Sequence, residues 1–81
     1  MLRIATKTKL SPEQAIKKAI DYFGPKGLQL EVKEQSDTAA NFESPLGHVA
    51  VNACAEDGKT NVEFISSEFD YQVKEFIQKI R

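Results

Sequence analysis

Residues 48–66 read HVAVNACAEDGKTNVEFIS, and this stretch predicts two neighbouring antiparallel strands around which the other elements are arranged. Apolar side chains alternate with polar or small ones on either side of a polar centre, as in strands with one buried face. The inward set is Val49, Val51, Ala53, Val62 and Phe64. Asp57-Gly58 lies between the strands and readily adopts the positive φ angles of a tight turn. The sequence therefore predicts a hairpin of residues 48–55 and 60–66.

Three further stretches alternate in the same way and predict strands at residues 2–8, 28–34 and 38–43. Their inward side chains are Leu2, Ile4, Thr6, Leu28, Leu30, Val32, Ala40 and Phe42. Residues 44–47 contain Pro and Gly and predict a loop before the fourth strand.

A first helix is predicted after residues 11–14, which read SPEQ. Ser11 can cap the free amides, Gln14 completes a capping box, and Pro12 suits the first helical position. The apolar stripe that follows has helical spacing and consists of Ile16, Ala19, Ile20 and Phe23. Gly24 predicts a left-handed cap at the end of this helix.

A second helix is predicted at the end of the chain, with Ser67 as its cap and acidic residues in its first turn. Its apolar stripe consists of Phe69, Val73, Phe76, Ile77 and Ile80. Such a stripe must be buried against another element.

The predicted element order is β-α-β-β-β-β-α, an α+β domain over residues 1–81. Four consecutive strands joined by short turns form an antiparallel meander, and the first helix carries the chain across it. The simplest closure gives a five-stranded antiparallel sheet of order 1-5-4-3-2. Both helices then cover one face, because only one face of each strand is apolar. Strand 2 lies at an edge, where Glu31, Lys33 and Glu34 discourage pairing with other sheets.

This order resembles the TBP-like fold, the simple form of the helix-grip arrangement shared with START and Bet v 1-like domains. The resemblance covers the whole chain and lies in the order of elements. The chain is more weakly similar to small polyhydroxyalkanoic-acid system proteins, through residues 10–15, residues 42–47 and the helix after Ser67. Neither likeness implies a function, because one fold carries many functions.

Composition excludes several classes of protein. The 81 residues include 11 basic and 12 acidic ones, and the single cysteine, Cys54, cannot form an internal disulfide. No apolar stretch is long enough to span a membrane. The net charge of −1 argues against a protein that coats nucleic acid.

We expect a cytoplasmic protein without a cofactor, because a lone thiol fits a reducing compartment and no cofactor motif is present.

The charge is distributed unevenly along the chain. Residues 1–27 carry +4, residues 28–70 carry −7 and residues 71–81 carry +2. Two interpretations are open. Neighbouring elements complement each other within the molecule, or the surface is polarised and orients a partner.

No enzyme template fits the chain, and we expect it not to be an enzyme. His48 and Cys54 face the same side of one predicted strand but are six residues apart, roughly 20 Å at about 3.3 Å per residue. An active site would need His48 beside a carboxylate such as Glu63 on the neighbouring strand. The sequence predicts no catalytic, cofactor-binding or metal-binding residue.

The sheet face opposite the helices is the remaining candidate site. Its predicted members are Ala39, Asn41, His48, Ala50, Asn52, Cys54, Asn61, Glu63 and Ile65. Small side chains gather on the inner strands and charges towards the edges. The face is either a solvated side of an antiparallel sheet or a docking surface for a second copy, another protein or a small ligand.

Two functional hypotheses follow. The first is a non-enzymatic binding or protein-interaction module that uses this face, with a homodimer as one form. The alternative is a small lipid or metabolite carrier that holds an apolar ligand between the sheet and the C-terminal helix. The carrier needs an internal cavity of about 300 Å³ or more.

Overall fold

The predicted hairpin forms the centre of the sheet in the computed structural model, which describes residues 1–81. The elements are β1 (Leu2–Thr8), α1 (Pro12–Phe23), β2 (Glu31–Gln35), β3 (Ala39–Ser44), β4 (Gly47–Glu56), β5 (Lys59–Ser67) and α2 (Asp70–Ile80). The strands are antiparallel and lie in the order β1-β5-β4-β3-β2. The predicted α+β topology is confirmed.

The turn between β4 and β5 has the predicted geometry. Asp57 and Gly58 have φ angles of 49° and 79°, and the pairing closes at Glu56 opposite Lys59. Two consecutive positive φ angles match the twist of a two-residue hairpin.

Both helices cover the side of the sheet that carries the inward residues. α1 packs on β3, β4 and β5, whereas α2 packs on β5 and β1. Four phenyl rings fill the space between the layers. The ring of Phe23 lies 5.6 Å from that of Phe42 and 5.4 Å from that of Phe76, and Phe76 lies 5.8 Å from Phe64. Full burial of each such side chain contributes about 1.5–3 kcal/mol.

α1 begins and ends where the sequence predicts, but the backbone conformation of its C-terminal cap is different. The Gln14 N–H donates to Ser11 Oγ (3.2 Å), and the Ser11 N–H donates to Gln14 Oε1 (3.1 Å), so the capping box is present. Gly24 has a φ of −75°, so the prediction of a left-handed cap was wrong. A Cβ at Gly24 would lie 2.5 Å from the carbonyl oxygen of Ile20. Position 24 therefore requires glycine, because the Ile20 carbonyl oxygen leaves no room for a Cβ. The positive φ angle in this turn, 65°, occurs at Gln29.

β2 is shorter than the predicted strand 28–34 and begins at Glu31. The Leu28 N–H donates to Tyr22 O, and the Gln29 N–H donates to Gly24 O, so both residues belong to the turn after α1. Leu28 is consequently 38% exposed, although the sequence predicted it inward, while Leu30 is buried. The pairing of β2 with β3 also shifts between Val32 and Glu34, which makes a β-bulge at the sheet edge.

α2 also begins later than predicted. Ser67 pairs with His48 in the sheet and does not cap the helix, so that prediction was wrong. Phe69 is the N-cap residue and makes no side-chain cap hydrogen bond. β5 is one pair longer than predicted, so α2 begins only at Asp70. The chain turns between the two elements at Glu68, whose φ is 72°. Neither helix of the structure has the length and apolar character needed to cross a membrane.

Candidate functional site: the open face of the sheet

The open face is the side of the sheet that carries neither helix. All nine predicted members lie on it, since they alternate with the buried residues of β3, β4 and β5. Each of the nine is half-buried or exposed. As alternation predicts, the face also carries Arg3, Ala5 and Lys7 on β1, Glu43 on β3 and Glu31 on β2, and the structure adds Glu34 on β2. Gln29, on the polar side of the predicted strand 28–34, lies in the turn before β2.

One row of paired residues crosses all five strands of the open face. We call it the central row. It runs in order through Arg3, Ile65, Ala50, Asn41 and Glu34. A basic side chain therefore stands at one end, an acidic side chain at the other, and the smallest side chain on the middle strand.

The middle of the face is lined by short side chains. On β4, Ala50 lies between Asn41 and Ile65 in the ladder, and Asn52 lies between Ala39 and Glu63. Since β4 is the third of five strands, these positions are the furthest from both sheet edges. The centre is thus flat enough for another surface to approach the backbone closely.

The β1 side of the face carries cations with partners. Arg3 Nη2 lies 3.3 Å from Glu63 Oε1, and Lys7 Nζ lies 4.0 Å from Glu56 Oε1. Both pairs are exposed to solvent. Exposed pairs of this kind contribute little to stability, about 0–1 kcal/mol, so Arg3 can reorient towards another anion at small cost.

The β2 side of the face is acidic. Glu31, Glu34 and Glu43 gather there with Lys33, whose Nζ lies 3.4 Å from Glu31 Oε2. Asn41 Nδ2 donates a hydrogen bond to Glu34 Oε2 at 3.4 Å and orients that carboxylate over the face. Three carboxylates against one ammonium leave this side negative.

A shallow hollow of about 320 Å³ lies on the acidic half of the open face. Its lining includes Glu34, Asn41, His48 and Ala50. The hollow is open to solvent and makes this half of the face concave. A side chain of a partner could enter it.

The structure does not place His48 beside Glu63, but it does place a carboxylate of the neighbouring strand opposite His48. Glu63 lies opposite Asn52, four residues along β4 from His48. The carboxylate opposite His48 is that of Glu43. The exposed Cys54 lies opposite Asn61, and its only hydrogen-bond contact is 3.7 Å from Sγ to the carbonyl oxygen of Ala55. No three His, Cys, Asp or Glu side chains of the chain are grouped as metal ligands.

The carrier hypothesis requires space between the sheet and α2. That space is occupied by aromatic rings, with Phe76 of α2 packed against Phe64 of β5 and against Phe23 and Tyr22 of α1. The geometry therefore favours the open face over an enclosed apolar site.

Alternation alone did not place Glu34 on the open face. A strict period of two directs Glu34 inward, but the bulge at Lys33 rotates it to the side of Asn41. No sequence pattern in this stretch marks the bulge. The acidic end of the central row is therefore visible only in the structure.

Comparisons of the chain with protein-family models, with curated proteins and with solved structures found no match. The function is accordingly inferred from the geometry of the open face.

Proposed function

We propose that this protein is a non-enzymatic interaction module that pairs with a second copy of itself through the open face. The observation that carries the proposal is the central row, which is basic at Arg3, small at Ala50 and acidic at Glu34. When a second copy of the row is laid over the first in the opposite direction, each basic end meets an acidic end. Self-complementarity is what a symmetric dimer interface requires.

The symmetry follows from the strand order. A two-fold axis parallel to β4, placed between two facing sheets, puts β2 of the second copy over β1 of the first. Arg3 then faces Glu34 of the second copy, and Ala50 faces Ala50. Aligned sheets are rotated by roughly 30°, which moves the ends of a row by about 5 Å, a distance that Arg and Glu side chains can span.

The small residues of β4 allow the two sheets to approach. Sheets pack face to face about 10 Å apart, and long side chains on the facing strands would hold them further from each other. Ala50 and Asn52 leave room at the centre, while Ile65 supplies apolar area beside them. The charged side chains at the edges of the face can remain hydrated, as at the rim of most interfaces between proteins.

The area available predicts a weak dimer. Five strands and about seven residues along each strand give a face of about 20 by 25 Å, or roughly 500 Å² per copy. The total of about 1,000 Å² is at the lower end for specific complexes. We therefore expect a dissociation constant between about 10 µM and 1 mM.

The proposal also includes a fold family and a cellular location. The element order and strand order support membership of the TBP-like fold. The thiol of Cys54 is free and exposed, which supports a reducing, cytoplasmic location because such a thiol is readily oxidised elsewhere.

Sedimentation equilibrium over a range of concentrations tests the proposal. We expect the wild-type protein to dimerise reversibly, and Ala50→Arg to abolish dimerisation because two guanidinium groups would meet at the symmetry axis. Gln78→Arg is the matched control, since it adds the same charge at an exposed position of α2. A wild-type monomer at about 1 mM, or a dimer that Ala50→Arg leaves intact, would overturn the proposal.

A further inference from the structure

A second surface feature lies at one end of the molecule, where β1 ends, β5 begins and α2 ends. It is a hollow of about 310 Å³, which we call the basic hollow. Its lining residues are Lys7, Thr8, Lys9, Leu10, Lys59, Ile80 and Arg81. Three segments that are distant in the sequence therefore contribute to it.

The charged side chains of the basic hollow are all positive. Four of the seven lining residues are cations, and none carries a side-chain carboxylate. Lys7 has one distant partner, Glu56, at 4.0 Å, whereas Lys9, Lys59 and Arg81 form no ion pair. This concentration occurs in a chain whose net charge is −1. Cations grouped in a concave site attract anions more strongly than the same charges on a flat surface.

The walls of the hollow are held by buried hydrogen bonds. Thr8 Oγ1 donates to the carbonyl oxygen of Ile80 and accepts from the Leu10 N–H, at 3.3 Å for the second bond. Thr60 Oγ1 donates to the carbonyl oxygen of Leu10 at 2.6 Å. Both threonines are only 3% exposed. These bonds join all three segments, so the backbones that carry the cations are fixed before any ligand arrives.

We propose that the basic hollow binds a diphosphate group. Two linked phosphates carry several negative charges in a compact shape, and a guanidinium and three ammonium groups can donate hydrogen bonds to their oxygens. The lining contains no aromatic side chain on which a nucleobase could stack. Recognition therefore rests on the phosphates, whether they are free pyrophosphate or part of a nucleoside diphosphate.

This proposal does not depend on the proposed dimer, because the central row contributes no residue to the basic hollow and Lys7 is the one residue assigned to the open face that lies in its lining. Its test is a calorimetric titration of the full chain with inorganic pyrophosphate and, separately, with ADP, at about 20 mM NaCl. We expect wild-type dissociation constants below about 1 mM for pyrophosphate and similar values for ADP. An ADP affinity at least tenfold higher would contradict recognition through the phosphates alone, because the nucleoside would then contribute to binding.

The decisive variant is Lys9→Gln/Lys59→Gln, for which we expect at least tenfold weaker binding of pyrophosphate. Lys26→Gln/Lys74→Gln is the matched control, since it removes the same charge at exposed positions outside the hollow and should change the affinity less than twofold. Amide chemical shifts of the wild-type protein should move at residues 8–10 and at Ile80 on titration. Absence of binding at about 10 mM, or equal weakening in both variants, would overturn the proposal.

Discussion

Arg3 and Glu34 stand at opposite ends of one row that crosses the sheet from edge to edge, although they come from strands that never touch each other. Within one copy the three strands between them keep their charges apart. Across a two-fold axis parallel to β4, the same two residues become neighbours. The relationship between Arg3 and Glu34 is therefore the most direct means of testing how two copies are oriented.

A charge swap tests this orientation. Arg3→Glu or Glu34→Arg alone should each weaken the dimer by about 1–2 kcal/mol, roughly five- to thirtyfold, because each reverses two contacts per dimer. The double variant should recover most of the affinity in sedimentation equilibrium. Glu13→Arg, an exposed reversal on α1, is the control and should leave the affinity unchanged. Additive losses in the double variant would contradict the proposed orientation.

Tyr22 ties the two helices together and makes stability sensitive to alkaline pH. Its hydroxyl donates to Glu75 Oε2 at 3.3 Å. Burial, and then the charge of Glu75, raises the pKa of Tyr22 above the ordinary value of 10.0. Because the folded state holds this proton more tightly than the unfolded state, the stabilisation is complete below pH 10 and is lost as the pH rises through the higher folded value.

Urea denaturation at neutral pH and above pH 10 measures this effect. We expect the free energy of unfolding of the wild-type protein to fall over that range, and Tyr22→Phe to show a smaller fall. Tyr71→Phe is the control, because Tyr71 is 69% exposed and its charge is the weakest of the causes that raise the pKa of Tyr22. An equal fall in all three proteins would show that Tyr22 is not responsible.

The two serines predicted as helix caps should differ in their effect on stability. Ser11 makes the capping hydrogen bond of α1, so Ser11→Ala should lower the free energy of unfolding by about 1 kcal/mol. Ser67 lies in β5, so Ser67→Ala should change it by less than about 0.5 kcal/mol. Chemical denaturation measures both values. A larger loss for Ser67→Ala than for Ser11→Ala would be inconsistent with the structure.

Ser66 is completely buried, and its hydroxyl has no hydrogen-bond partner. It faces the core between Leu2 and Val49 on the neighbouring strands. Ser66→Ala removes an unsatisfied polar group, so the free energy of unfolding should stay the same or rise by up to about 1 kcal/mol. Val62→Ala, on the same face of β5, should lower it by about 2 kcal/mol through cavity formation. A loss above about 1 kcal/mol in Ser66→Ala would reveal a role for the hydroxyl.

Local patterns predicted most of the fold because each acts over a few residues. The turn at Asp57-Gly58, the capping box at Ser11 and the apolar stripe that ends at Ile80 all lie where the sequence predicted them. The same patterns predicted all nine members of the open face. Alternation along a strand determines which face of the sheet each side chain is on, whichever strand is its neighbour.

The errors lie where two segments compete for the same residues. The turn after α1 takes Leu28 and Gln29 from the predicted second strand through hydrogen bonds to Tyr22 and Gly24. Pairing with His48 keeps Ser67 in the sheet and delays α2. In both places a contact between different elements outweighs a sequence pattern that is favourable by itself.

Apart from Leu28 and Glu34, the sequence alone determined which strand side chains face the core and which face outward, because periods of 2 and 3.6 residues and the chemistry of turns depend only on neighbours along the chain. The tertiary structure decided which exterior residues meet. The row from Arg3 to Glu34 depends on four strand pairings and a bulge, and the basic hollow depends on three segments joined by buried threonines. Both sites arise from contacts between distant parts of the chain, which no local pattern encodes.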